Sequence, residues 1–200
     1  MLVERLTGLS LENYMAQHIW QPLGITDMTF FLSNRHDLRA RAAVMSKREP
    51  FDASDNPTAE STSVYAPEHQ ACFLPDMVDC QGGAGIYSSP VEYLKVIRAL
   101  LHALDAPEAP AVPPAQLLRR VTVDAMFTPQ LGDESRKALQ AVGEIPRFNY
   151  MMGGMPVSTR KDWGLGGLIV MDDLPGWRSK GTMTWGGTPN LTWVSLHLSK

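Results

Sequence analysis

The sequence predicts an α+β fold, and three features carry that expectation. Capped segments of helical period dominate the first two-thirds of the chain. The character changes to strand-like runs after Trp163, and Gly- and Pro-bearing turns separate those runs. Helices come first and an antiparallel meander follows. With 200 residues and 44% apolar content, the chain can bury one sizeable core, and it is expected to form a single domain or part of one over residues 1–200.

Leu2, Val3 and Leu6 fall on one helical face, and Gly8 stands where helices commonly end. Ser10 is placed to cap a second helix through Leu11, Met15, His18 and Ile19, stopped by Pro22-Leu23-Gly24. Thr29-Phe30-Phe31-Leu32 reads as short and extended, and Arg39 to Ser46 as either a strand or a helix end. Residues 49–80, with Pro50, Pro57, Pro67 and Pro75, read as an irregular excursion of a length that usually carries function or disorder. Ser89-Pro90-Val91-Glu92 combines an N-cap, a first-turn proline and a capping-box glutamate, so a helix is expected from Pro90 to about Leu104.

Four prolines between Asp105 and Pro114 make a linker, followed by short helical pieces at Gln116 to Leu118 and Thr122 to Phe127. A polar, Gly-containing region leads to Trp163. Gly164 to Met171, Thr182 to Trp185 and Leu191 to Leu198 are the expected strands, joined by turns at Asp172-Asp173-Leu174-Pro175-Gly176 and Gly186-Gly187-Thr188-Pro189-Asn190. There is no internal repeat and no low-complexity block.

Charge narrows the function. Eighteen basic against 21 acidic residues, with no basic block beyond Lys47-Arg48 and Arg119-Arg120, recommend neither nucleic acid nor an anionic membrane as partner. Glu4, Arg5 and Glu12 interrupt the N-terminal apolar stretches, far short of the roughly 18 to 20 apolar residues a membrane span needs. The opening Met1-Leu2-Val3-Glu4-Arg5 is not a signal peptide, and a cytoplasmic location is expected on that ground. Cys72 and Cys80 lack metal-ligand spacing and read as free thiols. His18, His36, His69, His102 and His197 show no paired spacing, so neither metal nor cofactor is expected. Gly82-Gly83-Ala84-Gly85 has no following Lys-Ser or Lys-Thr and is not a phosphate loop. A small-molecule substrate is the default partner.

Five segments, read in order, resemble landmarks of the β-lactamase-like serine family: Glu4 to Leu11, Ile19 to Phe30, Gly82 to Ser89, Met126-Phe127-Thr128-Pro129-Gln130-Leu131, and Trp185-Gly186-Gly187. That family includes class C β-lactamases, penicillin-binding proteins, carboxylesterases and acyltransferases of fungal polyketide pathways. Trp185-Gly186-Gly187 is most similar to the esterase and transesterase branch, where it stands in place of Lys-Thr-Gly. The resemblance implies an incomplete β-lactamase/transpeptidase-like fold, of which this chain is the larger, C-terminal part. It implies a small-molecule acyl donor and an alcohol acceptor as partners.

The family's chemistry uses a Ser-x-x-Lys at a helix start and a proton-shuttling tyrosine, both of which precede the segment that begins here at Glu4. By resemblance, therefore, no residue of this chain is the nucleophile, and the chain alone is expected to be inactive and marginally stable, with a strand edge and an apolar face uncovered. One literal match, Ser158-Thr159-Arg160-Lys161, precedes a glycine-rich strand instead of an apolar helix. With thirteen serines and six lysines, roughly 0.4 such matches arise by chance.

What remains of the site by resemblance is the oxyanion side. Gly187 is the expected N–H donor, with Gly186 beside it and Trp185 as a wall of the acyl pocket, although Gly-Gly also suits a plain hairpin turn. Tyr65, in the long excursion, lines the acceptor pocket or is a surface or packing tyrosine. A transesterase or esterase is the leading reading. A β-lactamase or peptidase relative is the second reading, disfavoured because Trp185-Gly186-Gly187 lacks the cationic lysine that would hold a β-lactam carboxylate. A non-catalytic interaction protein that keeps the family's helical surface is the third reading, and a shortened gene model or product would account for the abbreviated ends.

Overall fold

The structure is a computed structural model and describes residues 2–43, 47–49, 63–65, 78–107, 116–186 and 193–195, with the backbone alone for 47–49, 63–65 and 193–195. The chain divides into two compact units, Met1–Val96 and Ile97–Lys200.

In the first unit, α1 (Leu2–Thr7) ends at Gly8, whose φ of +72° is the left-handed conformation a helix stop requires. Ser10 has extended backbone, and its hydroxyl accepts the Asn13 N–H at 3.2 Å, starting α2 (Leu11–Met15). The single helix expected through Ile19 changes hydrogen-bond register midway, continuing as a π-helical stretch over Ala16–Trp20. Leu11, Trp20, Ile25, Met28, Phe30 and Cys80 form this unit's core.

The extended segment at Thr29 is shorter than expected: β1 (Met28–Thr29) is followed by a 3-10 turn at Leu32–Asn34, and α3 (His36–Arg39) ends at Arg39, while residues 44–46 of the Arg39 to Ser46 segment lie outside the described residues. Two short strands, β2 (Lys47–Glu49) and β3 (Ser63–Tyr65), pair antiparallel, β2 at the start of the excursion expected to be irregular and β3 within it. β4 (Tyr87–Ser88) pairs antiparallel with β1. The cap at Ser89 forms as expected, its hydroxyl accepting the Glu92 N–H at 3.3 Å, and α4 runs Pro90–Asp105. Glu92 does not act as a capping-box residue; its carboxylate accepts from Thr26 N–H and from Lys95, whose ammonium also donates to the Gly24 carbonyl at 2.7 Å.

The second unit holds the last turns of α4, then α5 (Arg120–Phe127), α6 (Asp133–Gly143) and α7 (Pro146–Met151). Gln116 to Leu118 is not helical. α6 and α7 occupy the region read from sequence as merely polar. A four-stranded antiparallel meander follows in the order β5 (Lys161–Trp163), β6 (Leu168–Val170), β7 (Met183–Trp185) and β8 (Trp193–Ser195). The strand expected over Gly164 to Met171 is shorter, Leu168–Val170; Gly164 to Gly167 is the turn before it, and β5 was not expected as a strand. One core sets Met183 against Ala103, Leu104, Val123 and Phe127; another sets Leu168 and Val170 against Met152 and Met155. No helix among the described residues is long and apolar enough to cross a membrane.

Candidate functional site

The chemistry of the second unit centres on one buried carboxylate. Asp162, in the middle of β5, is wholly shielded from solvent. Its Oδ1 accepts the backbone N–H groups of Gln130 (3.0 Å), Leu131 (3.0 Å) and Trp163 (2.8 Å), and its Oδ2 accepts from Arg136 Nε at 2.6 Å. Arg136 also donates to the Leu131 carbonyl at 2.7 Å and to Asp133. Burial alone would raise the Asp162 pKa, but the bonds from Leu131, Arg136 and Trp163 outweigh it and hold the carboxyl below its ordinary range. The Met126 to Leu131 segment is thus fastened to β5 by charge-assisted bonds.

The Trp163 backbone is held on both sides, because its carbonyl accepts the Gln130 N–H at 2.8 Å. Immediately beyond, Gly164 passes close to α5. A Cβ there would collide with the Met126 carbonyl oxygen and stand 2.8 Å from Ile169 Cδ1, so the position admits glycine alone. The Leu165 N–H donates to that same Met126 carbonyl at 3.1 Å.

This clamp brings Trp163 to Trp185. Their ring centroids are 4.7 Å apart and tilted by 56°, a favourable aromatic arrangement. Both are half-buried against Met152, Met155, Leu168 and Val170. Gly186, at the end of β7, is buried. Gly187, the expected oxyanion donor, lies outside the described residues. Tyr65 is in the first unit on β3, where only its backbone is described.

The internal Ser-x-x-Lys has none of the geometry of a nucleophile and its base. Ser158 is exposed in a turn, whereas Lys161 lies on β5, fully buried, with its ammonium donating to the Thr159 carbonyl at 2.9 Å. Burial pushes the Lys161 pKa down. Among the described residues no group of three His, Cys, Asp or Glu side chains could hold a metal ion. Cys80 is buried as a free thiol, its pKa pushed up by burial, and Cys72 lies outside the described residues.

A β-lactamase family profile matches residues 1–192 of this chain. The chain belongs to the β-lactamase family. Among curated family members it is 42% identical to acyltransferase mokF of Monascus pilosus, over 98% of this chain and 43% of that protein. It is 40% identical to monacolin J acid methylbutanoyltransferase of Aspergillus terreus, over 96% and 42% of the two chains. It is 32% identical to a lovastatin esterase of Penicillium rubens, over 96% and 43%. A mutant simvastatin synthase from Aspergillus terreus superposes with a TM-score of 0.77 at 40% identity, covering 97% of this chain and 43% of that one. The unliganded form of that enzyme superposes with a TM-score of 0.74 at 38% identity, over 97% and 42%.

The architecture is accordingly the α+β arrangement of the β-lactamase fold, present in part. The chain spans less than half the length of these relatives, and so is not the larger part of such an enzyme. Sequence reasoning singled out Trp185 and Gly186, and the structure sets Trp185 against Trp163, which it did not single out, as it did not the Asp162 clamp. An aspartate flanked by Lys161 and Trp163 in a strand is uncommon enough to have signalled a bonded, buried carboxylate.

Proposed function

We propose that this chain is part of a serine acyltransferase or ester hydrolase of secondary metabolism. The observation that carries the reading is Trp185-Gly186 at the end of β7, paired with Trp163, in a chain 32–42% identical to proteins named as acyltransferases and an esterase. A serine Oγ supplied by sequence outside residues 1–200 attacks the acyl carbonyl. The resulting oxyanion takes the Gly187 N–H, and its collapse expels a thiol or alcohol that leaves with a proton. The acyl-serine is then attacked by an alcohol or water, regenerating the serine. An oxyanion donor of this kind contributes about 3 to 4 kcal/mol to the transition state.

In this reading Trp185 walls the acyl group. The partners are a small acyl donor and an alcohol. Residues 1–200 alone supply the oxyanion side and no nucleophile, so the isolated chain is inert.

The test is turnover of p-nitrophenyl acyl esters by the purified 200-residue chain and by the native polypeptide that carries this sequence, beside a cephalosporin. Ester turnover by the native polypeptide alone is the expected result. Cephalosporin hydrolysis without ester turnover would move the protein to the β-lactamase branch. Activity in the short chain that disappears with Ser158→Ala would make the internal Ser-x-x-Lys the catalytic pair.

A further inference from the structure

We propose that Trp163 is a positioning residue that sets the size of the acyl pocket by backing Trp185. The inference rests on the acyl-transfer reading and goes beyond it by naming what fixes acyl selectivity. Trp163 is the one tryptophan whose ring centroid lies 4.7 Å from that of Trp185 among the described residues. A ring so placed restricts the swing of its neighbour, and the two together present a broad, stiff wall.

The backbone beneath that wall is unusually constrained. The Trp163 N–H and carbonyl are both bonded, at 2.8 Å each, to the Asp162 carboxylate and to Gln130. Arg136 holds the same carboxylate from the helix side. Gly164 then blocks any slide of the strand, since it already touches α5. The floor under the rings is the opposite in character. Met152 and Met155 are buried there, and methionine adapts to irregular shapes. Met152 and Met155 are almost wholly buried, so they back the rings instead of touching an acyl group, and the wall alone limits chain length. The Trp163 ring packs on Trp185, and it acts through that neighbour.

A pocket that loses one ring should therefore change which acyl groups it accepts, and each methylene admitted to or excluded from an apolar pocket changes discrimination by about 10-fold or more. The experiment uses the native polypeptide with Trp163→Phe and Trp163→Ala, comparing kcat/KM on p-nitrophenyl esters from acetyl to octanoyl. Trp163→Ala is expected to raise the octanoyl-to-butanoyl ratio at least tenfold, with the change in KM, and Trp163→Phe to fall between alanine and the parent. The near-field coupling of two indoles gives an exciton couplet in circular dichroism, which both variants should lose.

If the couplet disappears while every ester slows by the same factor, Trp163 is only structural and the proposal is overturned. A couplet that survives in Trp163→Ala overturns the geometry itself. A parent that turns over no ester at all removes the acyl-transfer reading, and this inference falls with it, a result distinct from an active parent with unaltered selectivity.

Discussion

At the scale of single residues, Asp162 shows why a buried charge can be retained in a strand. It has no solvent, yet four donors satisfy both oxygens, and three of them are backbone groups, of which Gln130 N–H alone has a second acceptor, the Trp163 carbonyl. Asp162→Asn keeps the shape but turns an N–H2 toward N–H donors or weakens the acceptor. The change is expected to destabilise the second unit by about 2 to 4 kcal/mol, read from the urea midpoint at pH 7. The pH dependence has a defined sign. Because folding lowers the Asp162 pKa, its stabilisation is complete above the unfolded value of roughly 4 and is lost as pH falls through the folded value. The parent should therefore lose midpoint between neutral pH and pH 3 more steeply than Asp162→Asn. Parallel curves for the two proteins would mean that the carboxylate titrates alike in both states.

At the scale of elements, the β5–β6 turn is decided by a single missing side chain. Gly164→Ala places a methyl on the Met126 carbonyl, and since that contact is with backbone, α5 or the turn must move. Overpacking of this kind costs roughly 1 to 3 kcal/mol, whereas alanine at Gly83, where nothing lies within 4 Å, should be nearly neutral. Calorimetry on the two variants checks the contrast. Element legibility followed where local chemistry was strong: Ser10 and Ser89 both cap the helices their spacing announces. Glu92 satisfied a pattern that the fold uses otherwise, because Thr26 and Lys95 compete for its carboxylate and only tertiary structure brings Thr26 there. α6 escaped notice because its start, Gly132, makes no side-chain cap and its exposed face is charged. Asp133 and Glu134 in its first turn and the Glu134–Lys137 pair were the available signals. Three of the meander's four strands were legible from the turns between them, yet β5 and the clamp that holds Trp163 were not, since residues 130 and 162 are far apart in sequence and pair only after folding.

At the scale of the whole molecule, the relatives extend well beyond what this chain covers, and the surface of the chain carries apolar side chains that a finished fold would be expected to cover. On α1, Leu2 and Leu6 are 72% and 76% exposed, and on α4 Val91 and Leu94 are 70% and 53% exposed. Single exposed leucines are ordinary, but pairs on one helix mark a face that seeks a partner. The consequence separates the 200-residue chain from any longer polypeptide that carries this sequence. In the isolated 200-residue chain, Leu6→Lys and Leu94→Lys remove groups that water already reaches, so each should shift unfolding by less than about 0.5 kcal/mol. Both should also reduce binding of a hydrophobic dye. In the native polypeptide, if further sequence packs on these faces, each change buries a charge against apolar surface and loses a buried leucine. A loss of roughly 2 kcal/mol or more is then expected. Denaturant titration of both variants in both proteins decides the matter. A large effect in the native polypeptide alone assigns α1 and α4 to an internal interface, which would explain why the chain in isolation should be only marginally stable. Equal, small effects in the two proteins would leave these faces in solvent throughout and overturn the expectation that apolar exposure makes the isolated chain marginally stable.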